Sequence, residues 1–148
     1  MLKEYNNRWY VIGEGSSKDF SAILRLAIDR IVSCEINEKE TIEFRDDELK
    51  NEFFHLVGIT KEEDKTPENI TFKVAKPRAH YVATKPIHHS QVTEAESVSS
   101  ITFKLFVYSN MELINILLSF GGDLEVISPI ELRETMQKKL EKALNNYS

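Results

Sequence analysis

The sequence predicts an α+β protein in two parts: a small sheet or barrel, then a β-α-β-β-α-β unit with a terminal helix. Three observations predict it. Two runs rich in aromatic and branched residues, RWYVIG and AILRLAI, lie close together near the N-terminus. A polar, proline-bearing stretch without apolar period, TKEEDKTPEN at 60–69, follows them. Beyond it, runs of period two alternate with runs of helical spacing. The boundary is placed near residue 66, giving domains at 1–65 and 66–148.

Residues 8–13 and 22–28 read as two strands joined by the turn-forming EGSSKD. IVSCEI, 31–36, reads as a third strand, with Ile31, Ser33 and Glu35 on one face and Val32, Cys34 and Ile36 on the other. DDELKNEFFHLVGI then reads as a short amphipathic helix, capped by Asp46 or Asp47 and ended by Gly58.

In the second part NITFKVA reads as a strand and PRAHYVAT as a short helix opened by Pro77. SQVTEAE and SITFKLFVY form a hairpin around SVS. Ser109 and Glu112 have capping-box spacing for a helix through MELINILLSF to Gly121 and Gly122. That helix is apolar at more positions than one core-facing stripe needs, so the surplus is expected to bury against a second subunit. LEVIS is a short strand. A second capping box, Ser128 and Glu131 around Pro129, starts a final helix with a stripe at Leu132, Met136, Leu140, Leu144 and Tyr147.

Composition narrows the function classes. With 41% hydrophobic and 29% charged residues, the chain has the balance of a folded globular protein. No apolar run reaches membrane-spanning length, and MLKEYNN lacks the apolar core of a signal peptide, so a cytoplasmic protein is expected. Cys34 is the only cysteine, which excludes an intramolecular disulfide, and it reads as a small buried strand residue. The net charge of −5 comes from a belt at 35–64, where four Lys/Arg face eleven Asp/Glu. Such a belt is a solvated surface.

Enzymatic patterns are weak. His88, His89 and Ser90 adjoin in KPIHHSQ, but adjacent histidines on extended backbone diverge, and the serine lacks the Gly-x-Ser-x-Gly elbow. The five glycines form no phosphate-cradling pattern. No catalytic residue, metal or cofactor is expected.

Trp9, Tyr10 and Val11 stand where the WYL-domain family of bacterial transcriptional regulators writes Trp-Tyr-Leu, and LRLAIDRI at 24–31 is similar to its Arg-x-Phe-x-Leu-Asp-Arg-Ile segment. From LINILLSFGGDLEVISPIELRETMQ onward the chain resembles the WCX extension that follows many WYL domains. Val11 and Ala27 depart from the preferred leucine and phenylalanine but stay apolar. The resemblance implies an SH3-like or Sm-like barrel followed by a ferredoxin-like WCX domain. The strands that precede Trp-Tyr-Leu, and a DNA-binding helix-turn-helix, are not expected here, so the likeness is to the sensory and assembly part of a regulator.

It further implies a ligand pocket lined by Tyr10, Arg25 and Arg30, with a nucleotide or single-stranded nucleic acid as effector, and a homodimer assembled through WCX. Guanidinium forks suit phosphate, and a tyrosine ring can stack on a base. Positions 25 and 30 fall on opposite faces of an unbroken strand, so convergence requires a bulge or turn at Ala27–Asp29. Read without the resemblance, the two arginines pair with Asp19, Asp29 or other surface acids, and Trp9 is a core aromatic. An interaction domain with no ligand pocket is the alternative function.

Overall fold

Asn6 and Asn7 take positive φ, 49° and 64°, and so turn the chain back on itself within two residues. Asparagine tolerates this left-handed region better than other side chains. The turn joins β1 (Leu2–Tyr5) to β2 (Arg8–Ser17), which pairs in turn with β3 (Phe20–Ala27). All pairings are antiparallel, in the order β1-β2-β3. The structure, a computed structural model, describes residues 1–17, 20–38, 46–62 and 64–147. Packing divides the chain into two compact units, Met1–Phe54 and His55–Ser148.

In the first unit Ile12 and Ala27 are buried on one sheet face, together with Phe53 of α1 (Asp46–Phe54). Lys3 ties the helix to that face, donating from Nζ to Phe53 O at 3.4 Å and lying 5.4 Å from the centre of its ring. On the other face Leu2, Val11 and Leu26 stand directly opposite one another across the three strands. Leu2, Leu26 and nearby Trp9 are exposed there.

Several expectations change. A strand does precede the Trp-Tyr pair: LKEY lacks β-branched residues, but the Asn-Asn turn pairs it with β2. GSS belongs to β2 rather than to a loop, so the hairpin is longer than expected. Residues 31–37 form no strand, and Val32 and Ile36 are 100% and 90% exposed, with no strand pairing with them among the described residues. Cys34 is exposed as well. Trp9 is not core, because it points to the face opposite Ile12.

The second unit contains β4 (Glu68–Ala75), α2 (Arg78–Thr84), β5 (Val92–Glu96), β6 (Ser100–Val107), α3 (Met111–Leu118), β7 (Leu124–Ser128) and α4 (Ile130–Leu144). Its sheet runs β5-β6-β4-β7, antiparallel throughout. Alternation along β4 and β6 buries Ile70 against Leu105, Phe72 against Phe103 and Val74 against Ile101. The Phe72 and Phe103 rings meet at 5.6 Å. Helices cover this face with Ala79 and Val82, with Leu113, Ile114 and Leu117, and with Leu132 and Met136. The surplus apolar residues of α3 join the same core: Ile116, Leu118 and Phe120 pack against it, and only Met111 is largely exposed. The unburied stripe lies instead on α4, where Leu140 and Leu144 are exposed, as is Tyr147 beyond its end.

Both expected capping boxes are replaced. Asn110, not Ser109, caps α3, because its Oδ1 accepts the Leu113 N–H at 2.9 Å. Its Nδ2 donates to Val57 O and Thr60 O, each at 2.8 Å, so one buried side chain holds the 57–60 segment onto the helix start. Glu112 accepts from the Thr60 N–H instead of reaching back along its own helix. At α4 the cap is Pro129 with no side-chain hydrogen bond, since Ser128 is still the last residue of β7. The first helix ends at Phe54, before the expected Gly58. His55, Leu56 and Val57 belong to the second unit: His55 O accepts from Tyr108 N–H, and Leu56 and Val57 are buried.

Candidate functional site

Tyr10 sits on β2 opposite Ala27, and Arg25 on β3 opposite Ile12. Directly opposed residues share a face, and so do residues two apart on one strand, so Tyr10 and Arg25 lie on the α1 side of the sheet. Strand β3 ends at Ala27, and a single 3-10 turn, Ile28–Arg30, carries Arg30 onto the exposed surface. The break needed to free Arg30 from strand alternation is therefore present.

Arg25 is partly engaged. Its guanidinium lies 5.4 Å from the Phe53 ring centre, 3.7 Å from a Glu52 carboxylate oxygen, and donates to Ile23 O at 3.4 Å. These are long contacts for a charge-assisted fork. Its Nε–H is buried and finds no acceptor among the described residues. Of the acids weighed from the sequence, Asp29 pairs with Arg8 at 3.2 Å, and Asp19 lies outside the described residues. Glu52 takes the partner's place because α1 lays its carboxylate over the strand.

A cleft of about 380 Å³ opens at the start of β2 beside the Ile28–Arg30 turn, lined by Asn7, Arg8, Trp9, Ile28 and Asp29. Arg8 and Trp9 were not site candidates in the sequence. Their signal is the Asn-Asn turn, which sets both at the strand start beside the Ile28–Arg30 turn. Trp9 offers an apolar plane there, and the Arg8–Asp29 pair a polar rim.

In the second unit His88 Nδ1 lies 2.7 Å from Ser90 Oγ. Ser90 Oγ also accepts the Phe106 N–H at 3.0 Å and contacts Phe106 O at 3.3 Å. The serine thus braces the 87–91 loop against β6, which occupies its hydroxyl with strand backbone. Gln91 completes the brace, donating to Val82 O and accepting from Ile87 N–H. Among the described residues no three His, Cys, Asp or Glu side chains converge, and no helix is long and apolar enough to cross a membrane.

A comparison with curated proteins finds no match. The profile of the WCX domain matches residues 66–144, which begins just before β4 and ends at the last residue of α4. The matched stretch contains every strand of the second sheet and its three covering helices, and spans more than half of the 148 residues. The chain belongs to the WCX domain family.

Proposed function

We propose that the chain is a noncatalytic ligand-sensing and dimerisation module of a WYL-type bacterial transcriptional regulator, working in the cytoplasm. Its first unit is the WYL part, a partial SH3-like barrel. The second is a ferredoxin-like WCX domain, a reading its β5-β6-β4-β7 order supports, with antiparallel neighbours and crossovers through α2 and α3. Tyr10, Arg25 and Arg30 bind a nucleotide or single-stranded nucleic acid. The observation that carries this is the Arg25 guanidinium: held by Glu52 only at 3.7 Å, with an Nε–H that finds no acceptor among the described residues, it has donors to give to a phosphate oxygen. Binding then shifts the population between two arrangements of a dimer.

Salt-dependent binding of labelled single-stranded DNA and RNA, compared with an Arg25→Ala/Arg30→Ala variant, tests the reading. Binding that weakens with salt and is lost in the variant is expected; equal binding by both proteins rejects the assignment.

The apolar row Leu2, Val11 and Leu26, exposed at Leu2 and Leu26, favours a second reading, an assembly domain without its own ligand. In that case Leu2→Ser/Leu26→Ser lowers the sedimenting mass, and no oligonucleotide binds.

A further inference from the structure

We infer that the second unit carries a stacking site for a nucleotide, free or within a single strand, in the cleft between α2 and the end of α3. The cleft encloses about 330 Å³ and is lined by Arg78, Tyr81, Ser119 and Phe120. This volume accommodates a base and part of its sugar. Because Ala79 and Val82 point into the core, the outer face of α2 is left to Arg78 and Tyr81, with Lys85 just past its end. Tyr81 is 57% exposed, so its ring is open to a ligand.

Each aromatic wall already carries a cation. The Arg78 guanidinium carbon lies 5.7 Å from the Phe120 ring centre, and Lys85 Nζ lies 5.8 Å from that of Tyr81. Cation–aromatic attraction at exposed sites contributes about 0.5–1 kcal/mol, enough to account for either pair alone. Arg78, Phe120 and Tyr81 all line the cleft, and Lys85 stands beside it over the Tyr81 ring. Arg78 in the lining and Lys85 beside it stand against the one carboxylate of Asp123, a balance that favours an anionic planar ligand over a cationic one. Asp123, 3.5 Å from Arg78 Nε, steadies the guanidinium over Phe120. A plane so held presents its outer side to a base. Ser119 Oγ donates its proton to Ile116 O at 2.6 Å, which leaves its lone pairs to accept an N–H from the base. Lys85 is then the nearest cation for the phosphate.

This site is independent of Tyr10, Arg25 and Arg30, which belong to the other unit. The test is fluorescence anisotropy of the whole chain with a short labelled oligothymidine, an abasic strand of equal length, and thymidine 5′-monophosphate as competitor. Tyr81→Ala is expected to weaken oligothymidine binding about ten- to a hundredfold, with Tyr81→Phe close to unaltered and far-UV circular dichroism unchanged. Competition by the mononucleotide identifies a free nucleotide as sufficient; a requirement for the oligomer identifies a strand. Affinity of Tyr81→Ala within about twofold of the unaltered chain, or an abasic strand that binds equally well, overturns the inference. Loss confined to Arg25→Ala/Arg30→Ala also overturns it and leaves the first-unit site standing. Loss confined to Tyr81→Ala does the reverse.

Discussion

Among the described residues each unit has a sheet with one face under helix and one face without, but the two uncovered faces differ in chemistry. In the second unit the uncovered side shows Thr71, Lys73, Thr102, Lys104 and Glu125, with Phe106 and Ile127 as apolar interruptions. In the first it shows Leu2, Trp9, Val11, Leu24 and Leu26. The covered faces differ as well. Sixteen buried residues form one cluster in the second unit, while the described buried apolar residues of the first are Ile12, Ala27 and Phe53. A polar bare face is complete in water; an apolar one is a surface that gains by being covered. The difference separates a unit stable by itself from one whose stability depends on what it meets.

The largest expected effect follows from this. Trp9 is the only tryptophan and lies in the first unit, so its fluorescence follows that unit, while far-UV circular dichroism is dominated by the second. In urea the Trp9 transition is expected at lower concentration than the circular-dichroism one. Phe72→Ala, which empties the centre of the second core, costs about 3–5 kcal/mol and moves the later transition toward the earlier. Ile12→Ala moves the Trp9 transition alone. Coincident transitions in the unaltered chain would break the comparison, because both units would then unfold as one.

Asn110 sharpens it at intermediate scale. This buried residue makes three hydrogen bonds that join the 57–60 segment to the start of α3. Removing the cap and stranding two carbonyls in Asn110→Ala is expected to cost about 2–3 kcal/mol. Asn110→Asp keeps the acceptor for Leu113 N–H but turns both donors into acceptors facing carbonyls, so it should be no better. Urea unfolding followed by circular dichroism measures both. A loss under about 0.5 kcal/mol in the alanine variant would show that water replaces the side chain at no cost.

The same contrast explains how much was legible. Every strand and α-helix of the second unit could be read from the sequence, because alternation and helical spacing there describe a core whose buried side chains find their partners inside the unit. The boxes at Ser109 and Ser128 misled, since spacing proposes a cap but cannot tell that Asn110 is drawn to Val57 and Thr60, or that Ser128 stays in β7. In the first unit the apolar alternation of IVSCEI was real, but alternation becomes a strand only when a neighbour pairs with it. Strand β1 was missed for the opposite reason: its pairing comes from the Asn6–Asn7 turn rather than from its own residues. Tyr10 and Arg25 could be placed on strands, whereas the helix laid over Arg25 is a long-range contact that no local pattern encodes.

The smallest effect tests the polar bare face itself. Glu125 accepts from Lys73 at 2.7 Å and from Arg133 at 2.9 Å, and this pairing, Lys73 foremost, holds its carboxyl below the usual glutamate range. Lys76 does the same for Glu96. A carboxylate whose pKa is depressed by folding contributes stability that is present above its unfolded value, about 4.3, and is lost as pH falls through the lower folded value. Lys73→Met should therefore be slightly less stable than the unaltered chain at pH 7, with the gap closing as acid protonates Glu125. Added salt at neutral pH should narrow the gap too, because the groups are exposed and screened. Thermal unfolding at several pH values checks this. A gap that persists unchanged into acid would mean that Lys73 acts through packing of its methylenes over the sheet, making that face partly apolar after all and narrowing the contrast between the two units.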